Sequence, residues 1–413
     1  MYGFIWWRNF RDPEKEKELN FMSDEQINQK YLAGEVRIVT EQARYPLTSL
    51  KSLFSGEKYN LHPEFQRRRR WSAEKRSKLI ESFIINVPVP PVFLYEIDFA
   101  KFEVMDGLQR ISTIIDFYDD KLTLSKLDEW PELNGKTYSQ LPEKIKEGID
   151  RRYLSSIILL KESAKSISQS DRMKKLVFER LNSGGIKLSS QETRNALYDG
   201  KLNRLCIKLS KNVTFRRLWG LTDIETFQQS LLEENESDVD IVDDETYSKR
   251  RRDLYSSMGD VELVLRFFAF RHLNSFTGNI LELFLDSFLQ QGNLYLDKIL
   301  RKYNELFKFT IELADNLFGD LAFKQYNENR SNTKWSTDPT KTTYDPLMQI
   351  LSNYFEKHFS INFSLEERTS RLEKFFKINK EILNGKKQNK SNIMGRIHVY
   401  ETLISSLISY EEK

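Results

Sequence analysis

The sequence of 413 residues lacks the signatures of several common catalytic classes. It contains one cysteine, Cys206, which excludes an intramolecular disulfide and a cysteine-rich zinc site. Its four histidines stand in separate segments, and no His-x-x-x-His or Gly-x-Ser-x-Gly pattern of zinc and serine hydrolases occurs. The Gly-x-x-x-x-Gly-Lys-Ser/Thr loop of P-loop ATPases is also missing. None of these three classes is therefore supported.

Long apolar runs are missing too. No stretch reaches the roughly 18 apolar residues that a membrane-spanning helix needs. The first residues, Met1–Phe10, lack the basic start and the small-residue cleavage site of a signal peptide. We therefore expect a cytoplasmic protein with no membrane partner, long enough to form about two or three domains with substantial cores.

The charges of the chain nearly balance, with 64 basic and 61 acidic residues, so net charge does not mark a nucleic-acid binder. Locally, residues 65–78 contain seven basic residues and one acid. Such a cluster can hold phosphates of a nucleotide or of DNA, although a solvated basic face explains its middle part equally well. The basic residues are Arg67, Arg68, Arg69, Arg70, Lys75, Arg76 and Lys78. Residues 233–245 are strongly acidic instead, which indicates a solvated loop.

The segment Phe102–Arg110 predicts a strand that stops at an Asp-Gly turn and enters a helix. Gly107 permits a backbone conformation that a Cβ would penalise. The N-terminus of such a helix favours an anion, and Gln109 and Arg110 stand in its first turn. Arg110 can bind phosphate in a bidentate manner. An ordinary turn with an exposed arginine fits the same residues, so the pattern alone is weak.

Two further segments have sequence patterns that predict secondary structure. Ser72 is a candidate N-cap for a helix whose apolar face consists of Leu79, Ile80, Phe83 and Ile84. Prolines end this helix, and a strand is predicted over residues 92–97. In Val177–Glu192, one helix ends near Asn182 and two glycines, Gly184 and Gly185, permit positive φ. Ser189 and Glu192 then form a capping box. A structural connection between two helices accounts for this second segment equally well.

The C-terminal half is predicted to be mainly helical, with a buried helix over residues 261–270 and further helices over 280–290 and 294–317. Residues 325–343 are predicted to be a polar loop, and Ser364 is a candidate N-cap of a later helix. The basic loop Lys386–Asn392 precedes a helix with Arg396 and His398. The start of that helix either faces a phosphate of a nucleotide or DNA, or the helix only packs against the rest of the protein. We favour packing.

Together these motifs resemble the N-terminal domain of GmrSD-type restriction endonucleases, a ParB/sulfiredoxin-like nucleotide-hydrolysing domain. The family pattern is Gln-Arg with a nearby Trp, then Leu-Ile-x-Ser, Pro-x-Pro, Asp-Gly-Gln-Gln-Arg, and a distant Leu-Asn-x-Gly-Gly element. The matching segments here are Gln66-Arg67 with Trp71, Leu79–Ser82, Pro88–Pro90, Asp106–Arg110 and Leu181–Glu192. One position departs from the pattern, because Leu108 replaces the first glutamine.

The resemblance implies an α+β fold, in which a ParB-like α/β domain over residues 41–204 follows an N-terminal extension, 1–40. A mainly helical domain, 205–413, comes after it. The resemblance also implies binding and hydrolysis of a nucleoside triphosphate (NTP) with Mg²⁺, in a prokaryotic anti-phage or modification-dependent restriction system. DNA and a separate nuclease subunit are the expected partners, since the histidine-containing nuclease motif of the family is missing here.

Residue roles follow from the same resemblance. Asp106, Gln109 and Arg110 are the expected catalytic residues, with no protein-only metal site. The expected nucleotide-binding residues are Gln66, Arg67, Gly107, Asn182, Gly184 and Gly185. The candidate DNA-binding residues are Arg68, Arg69, Arg70, Lys75 and Arg76. The alternative is a DNA-binding ParB-like module without NTPase activity, which Leu108 favours if the family glutamine contacts nucleotide or water.

Overall fold

The fold is taken from a computed structural model, which describes most of the chain. The described residues are 23–32, 39–56, 58–60, 71–160, 173–178, 180, 188–222, 248–276, 280–329, 332–383 and 389–410. In this part of the chain the architecture is α+β, as predicted, with a mixed sheet in the N-terminal half and mainly helices afterwards.

The described secondary structure includes nine strands and sixteen α-helices, in addition to short 3-10 turns. The strands are β1 Thr40–Pro46, β2 Tyr59–Asn60, β3 Val92–Asp98, β4 Lys101–Asp106, β5 Tyr153–Leu159, β6 Tyr326–Asn329, β7 Asn332–Trp335, β8 Phe359–Ile361 and β9 Ile408–Tyr410. The helices of the N-terminal half are α1 Asp24–Leu32, α2 Leu50–Phe54, α3 Ala73–Ile84, α4 Leu108–Tyr118, α5 Glu143–Asp150 and α6 Ser190–Leu197. The remaining helices are α7 Lys201–Leu209, α8 Val213–Trp219, α9 Lys249–Ser256, α10 Gly259–Phe270, α11 Leu281–Gly292, α12 Asp297–Phe318, α13 Lys341–Leu351, α14 Leu365–Ile378, α15 Lys380–Leu383 and α16 Lys390–Leu407. Residues 173–178 are also helical.

The sheet of the N-terminal half has five strands in the order β1-β5-β3-β4-β2. The β1–β5 and β3–β4 pairs are antiparallel, whereas the β3–β5 and β2–β4 pairs are parallel. Its core residues alternate along the central strands, and Val92, Leu94 and Leu154 are almost fully buried. This mixed sheet holds the end of β4, where α4 begins, at a fixed position.

The predicted helices that lie in the described part of the N-terminal half are confirmed as α3, α4 and α6. Helix α3 begins one residue after Ser72, whose hydroxyl accepts a hydrogen bond from the Lys75 N–H at 3.3 Å. Its residues Leu79, Ile80 and Phe83 are buried, as an apolar helical face requires. Ser189 caps α6 and forms the predicted capping box with Glu192.

The helical part has a core rich in aromatic residues. All residues of α10 except Glu262 are buried, as predicted for an apolar helix. Ser364 caps α14 and also forms a capping box, with Glu367. In the described part of the chain, no helix combines the length and the apolar character needed to cross a bilayer.

The prediction of a polar loop over residues 325–343 is wrong. Strands β6 and β7 form an antiparallel hairpin there, and α13 begins at Lys341. Tyr326 and Trp335 pair across the hairpin with ring centroids 5.2 Å apart, and Trp335 also packs on Phe376 of α14. These aromatic contacts offset the weak strand preference of the intervening polar residues.

The chain forms two compact units, each of which draws on several segments. The first lies within Met1–Leu61, Ser82–Ile115 and Pro142–Leu181 and contains the five-stranded sheet. The second lies within His62–Glu81, Asp116–Leu141 and Asn182–Lys413 and contains most of the helices. The segments interleave along the sequence.

Candidate functional site

The Asp-Gly turn lies between β4 and α4. Strand β4 ends at Asp106, Gly107 makes the turn, and α4 begins at Leu108. The Gly107 carbonyl oxygen accepts a hydrogen bond from the Ile111 N–H at 3.0 Å, which closes the first helical turn. The predicted sequence of strand, turn and helix is therefore confirmed. A helix of this kind presents N–H groups of its first turn toward an anion.

Gly107 is required by both its backbone conformation and its surroundings. Its φ of +99° lies in the region that side chains rarely adopt. A Cβ at this position would lie 2.4 Å from the Val92 Cγ1 atom, which is much closer than van der Waals contact. The turn therefore packs directly against β3 and tolerates no side chain.

Arg110 is held by two acceptors beside this turn. One guanidinium nitrogen, Nη2, lies 2.7 Å from the Asp106 carboxylate and 3.2 Å from the Pro91 carbonyl oxygen. The Pro91 contact joins the Asp-Gly segment to the proline segment of the family pattern. The Arg110 side chain is 13% exposed, whereas that of Asp106 is 41% exposed. The carboxylate is thus accessible from solvent and the guanidinium is largely covered.

One donor of Arg110 has no acceptor. Its Nε atom is buried and makes no hydrogen bond to any residue in the described part of the chain. Leaving a buried donor unpaired costs free energy, and the cost is removed when a ligand or a water supplies an acceptor. An anionic oxygen beside the guanidinium would supply one.

The other two residues of the first turn, Leu108 and Gln109, are half-buried. Gln109 stands in the first turn of α4, as the sequence predicts. Leu108 is neither fully exposed nor fully covered, so its environment is compatible both with packing and with a lost polar contact. The structure brings together Asp106, Gly107, Gln109 and Arg110 in one turn.

Two of the candidate DNA-binding residues, Lys75 and Arg76, lie in the first turns of α3. The Arg76 guanidinium donates to the Asp116 carboxylate at 2.6 Å, so its charge is already paired. The Lys75 ammonium lies 4.7 Å from the Trp71 ring centroid, in a cation–π arrangement. Lys75 is exposed and remains the better candidate for a phosphate contact.

The remaining predicted residues lie outside the described part of the chain. They are Gln66, Arg67, Arg68, Arg69, Arg70, Asn182, Gly184 and Gly185. Their proposed contacts with nucleotide or DNA stay predictions. The acidic loop over residues 233–245 lies outside the described part as well.

Arg396 does not face a phosphate at a helix start. Its side chain is buried on α16, and burial lowers the pKa of its guanidinium. His398 lies on the same helix and is exposed, with its imidazole 3.8 Å from the Glu401 carboxylate. The burial of Arg396 therefore supports the interpretation that this helix packs against the rest of the protein.

Two charged residues that the sequence motifs did not identify have well-defined contacts. Glu81, within the family Leu-Ile-x-Ser element, is 5% exposed and accepts backbone N–H groups of Asp128, Glu129 and Trp130. Glu103 on β4 pairs with Lys174, with 2.5 Å between Oε2 and Nζ. No local sequence pattern identifies either contact, because both partners are distant along the chain.

Metal-binding groups are sparse in the described residues, where no cluster of three or more His, Cys, Asp or Glu side chains suits a metal ion. Mg²⁺ that arrives with a nucleotide needs only one or two carboxylates, because phosphate oxygens and water complete its shell. Asp106 offers one exposed carboxylate at the turn. The residues present therefore fit a metal that is bound together with its nucleotide.

Comparison with known families identifies the segment that contains this turn. Residues 50–198 match the model of the family described as GmrSD restriction endonuclease, N-terminal domain. The matched range contains the whole turn from Asp106 to Arg110, the proline segment and the Leu181–Glu192 element. This match confirms the resemblance. No curated protein and no solved structure matches the chain.

Proposed function

We propose that this chain, whose residues 50–198 form a GmrSD-type N-terminal domain, binds a nucleoside triphosphate with Mg²⁺ and hydrolyses it. The site is the turn from Asp106 to Arg110. The protein acts as the nucleotide-dependent component of a prokaryotic restriction or anti-phage system. DNA and a separate nuclease subunit are its partners.

The observation that carries this proposal is the geometry around Arg110. A guanidinium with a buried, unpaired Nε lies beside the start of a helix and is fixed by Asp106 and Pro91. Gly107 lets the turn pack directly against Val92 and beside the Arg110 guanidinium, where a Cβ would clash with both. A phosphate at this position would meet backbone N–H groups, the helix dipole and an oriented guanidinium together.

Each residue then has a defined role. Arg110 binds a phosphate and stabilises the negative charge that develops as the terminal phosphoryl group leaves. Asp106 holds the attacking water or contacts the metal, and the Gln109 side-chain amide N–H donates to the same phosphate. Mg²⁺ bound with the nucleotide supplies neutralisation of phosphate charge. Catalysis of this type is mainly positioning and electrostatic stabilisation, because phosphoryl transfer needs little covalent chemistry from the protein.

Residues outside the described part complete the proposed pocket. Gln66 and Arg67 contribute from the segment before α3, and Asn182, Gly184 and Gly185 from the second family element. These assignments rest on the family pattern. Arg68, Arg69, Arg70, Lys75 and Arg76 form the proposed DNA-facing group, although the Asp116 partner of Arg76 reduces its part in that group.

A second candidate is a DNA-binding module that does not hydrolyse nucleotide. Leu108 favours it, because this position holds glutamine in the family pattern and the leucine here is half-buried, not enclosed in the core. The exposed Lys75, stacked on Trp71, would contribute to a DNA-facing surface in either case.

Phosphate release separates the two candidates. Purified protein is incubated with ATP, GTP, CTP or UTP, each with Mg²⁺ or EDTA, and each with or without duplex DNA. The proposal expects release with at least one NTP that depends on Mg²⁺. DNA binding with no phosphate release from any NTP would favour the alternative, and absence of both NTP binding and release would contradict the proposal.

A further inference from the structure

The Glu103–Lys174 pair lies on the same sheet face as Asp106. In a regular strand, residues 103 and 106 point to opposite faces, because side chains alternate. The β3–β4 ladder, however, shifts register between Phe93 and Leu94. As a result Asp106 pairs with Phe93 and Glu103 with Tyr95, and residues 93 and 95 share one face. The register shift therefore brings both carboxylates to one face, at adjacent cross-strand positions.

Lys174 and Arg110 are each held by a carboxylate of β4. Lys174 is nearly buried and lies 2.5 Å from Glu103, with its ammonium 5.5 Å from the Tyr95 ring centroid. Arg110 is held by Asp106 in the same manner. The strand rise of about 3.3 Å per residue puts the two pairs about 7 Å apart along the sheet. The four side chains make two neighbouring ion pairs with no net charge.

A triphosphate carries several negative charges over a comparable length, and Mg²⁺ together with Arg110 does not neutralise all of them. Burying a lysine is costly unless its charge is paired, and Glu103 supplies that pairing in the absence of ligand. Phosphate oxygens can take over this role, because they also accept charge-assisted hydrogen bonds. Glu103 would then be a competitor for Lys174.

We propose that Lys174 is a second phosphate-binding residue of the site, held by Glu103 until a nucleotide displaces that carboxylate. This inference rests on the proposed function. It adds a cation from the helical segment 173–178 to the Arg110 turn, and it assigns Glu103 a role that weakens nucleotide binding.

The test uses two substitutions for which a phosphate-binding lysine and a merely structural ion pair predict different combinations of effects. Calorimetric titration with ATP, GTP, CTP and UTP in Mg²⁺ is performed on the full chain and on the variants Glu103→Gln and Lys174→Met. Glu103→Gln should tighten NTP binding severalfold, because the competing charge is lost. Lys174→Met should weaken it by about tenfold or more, as expected for one charge-assisted hydrogen bond. A structural ion pair would make both variants bind more weakly, or neither.

Controls separate binding from folding. Lys175→Met changes the next residue of the same helical segment and should leave affinity unchanged. The double variant Glu103→Gln/Lys174→Met buries no unpaired charge, so it should fold even if Lys174→Met does not. Its affinity for NTP should be as low as the affinity expected for Lys174→Met. Thermal unfolding of every variant accompanies the titrations.

The outcomes also distinguish this inference from the proposed function. If the unmodified chain binds none of the four NTPs, the proposed function fails and the inference fails with it. If the unmodified chain binds an NTP but Glu103→Gln weakens binding, or the double variant binds normally, the role of Lys174 is wrong while the proposed function stands.

Discussion

At the scale of single residues, Gly107 carries the tightest steric constraint of the site. Gly107→Ala adds a Cβ within 2.4 Å of Val92 and forces a positive φ on an L-residue. We expect a loss of at least about 2 kcal/mol in the free energy of unfolding, because strain and overpacking add. Urea denaturation of the variant measures this loss.

Two other glycines provide matched controls for that change. Gly135 has a φ of +80° but no atom within 4 Å of the position that a Cβ would take, so Gly135→Ala should cost only the backbone term of about 1–2 kcal/mol. Gly148 lies inside α5 with open space around it, and Gly148→Ala should stabilise the protein by about 0.4–1 kcal/mol. An equal loss for Gly107→Ala and Gly135→Ala would show that the contact with Val92 relaxes freely.

Leu108 decides how the departure from the family pattern is understood. If the family glutamine contacts nucleotide or water, Leu108→Gln should raise phosphate release. If the leucine only packs, the same change should lower stability by about 1–3 kcal/mol, because it buries an unsatisfied amide. The half-buried position favours a packing loss at the lower end of this range. Turnover and thermal melting of one variant distinguish the cases, and no change in either would make the position neutral.

The sequence predicted which residues stand at the turn, but not how they are joined. Periodicity and the Asp-Gly pair indicated the strand, the turn and the helix. The contact of Arg110 with the Pro91 carbonyl oxygen joins residues 19 apart, and no local pattern encodes it. The shared face of Glu103 and Asp106 depends on a register shift, which strict alternation along β4 would have excluded.

At the scale of elements, Glu81 joins α3 to the segment that follows α4. Its carboxylate accepts three backbone N–H groups, of Asp128, Glu129 and Trp130. Ser77, one helical turn earlier, accepts the Ser125 N–H at 3.0 Å. Side-chain acceptors of this kind fix a loop without secondary structure, since they satisfy its backbone donors directly.

Removing this acceptor should release the loop. Glu81→Ala removes the buried acceptor of three backbone N–H groups and should lower the free energy of unfolding by about 1–3 kcal/mol, because these donors belong to exposed residues and water replaces part of the interaction. Amide hydrogen exchange at residues 128–130 should accelerate, which identifies the loop as the site of the change. Glu74→Ala on the same helix removes partly exposed ion pairs with Lys78 and Lys126 and should cost at most about 1 kcal/mol. Unchanged exchange at residues 128–130 would contradict this role of Glu81.

The β6–β7 hairpin shows where element prediction failed. The sequence of residues 326–335 is polar and has few β-branched residues, so it indicated a loop. The hairpin instead depends on Tyr326 and Trp335, which pair with each other and contact α14. Such stabilisation comes from elements distant in the sequence and is not visible in a local window.

At the scale of the whole molecule, a buried ionic network crosses the helical unit. Arg194 of α6 contacts Glu262 of α10 and Asp286 of α11, and Arg266 pairs with Asp345 of α13. Burial raises the pKa of Glu262, but the nearby Lys341, Arg194 and Arg266 outweigh it and lower that pKa to about 2. The network therefore joins four helices through buried ion pairs.

This network predicts how stability depends on acid. The folded pKa of Glu262 lies below its ordinary value of 4.5, so its contribution is complete above pH 4.5 and is lost as the pH falls toward 2. A shift of this size corresponds to about 3 kcal/mol. Glu262→Gln should therefore be less stable than the unmodified chain at pH 7 and show a shallower loss between pH 4.5 and 2.

Urea denaturation at a series of pH values measures how the free energy of unfolding changes with pH in Glu262→Gln and in the unmodified chain. Glu366→Gln serves as a control, because this exposed carboxylate of α14 should leave the pH dependence unchanged. Equal slopes for Glu262→Gln and the unmodified chain would contradict the network. The sequence predicted that α10 is buried, yet it did not predict that charged residues of four helices meet beside it, because their separations along the chain are too long for any local pattern.

The measurement that tests the central claim most directly is Mg²⁺-dependent phosphate release by Asp106→Ala, compared with the unmodified chain. Asp106 lies at a turn and is 41% exposed, so the variant should fold, with a lower melting temperature because the largely covered Arg110 guanidinium loses its carboxylate partner. Glu132→Ala removes another exposed carboxylate and should retain full turnover. We predict that Asp106→Ala abolishes phosphate release while remaining folded. Normal phosphate release by Asp106→Ala would contradict the assignment of the site.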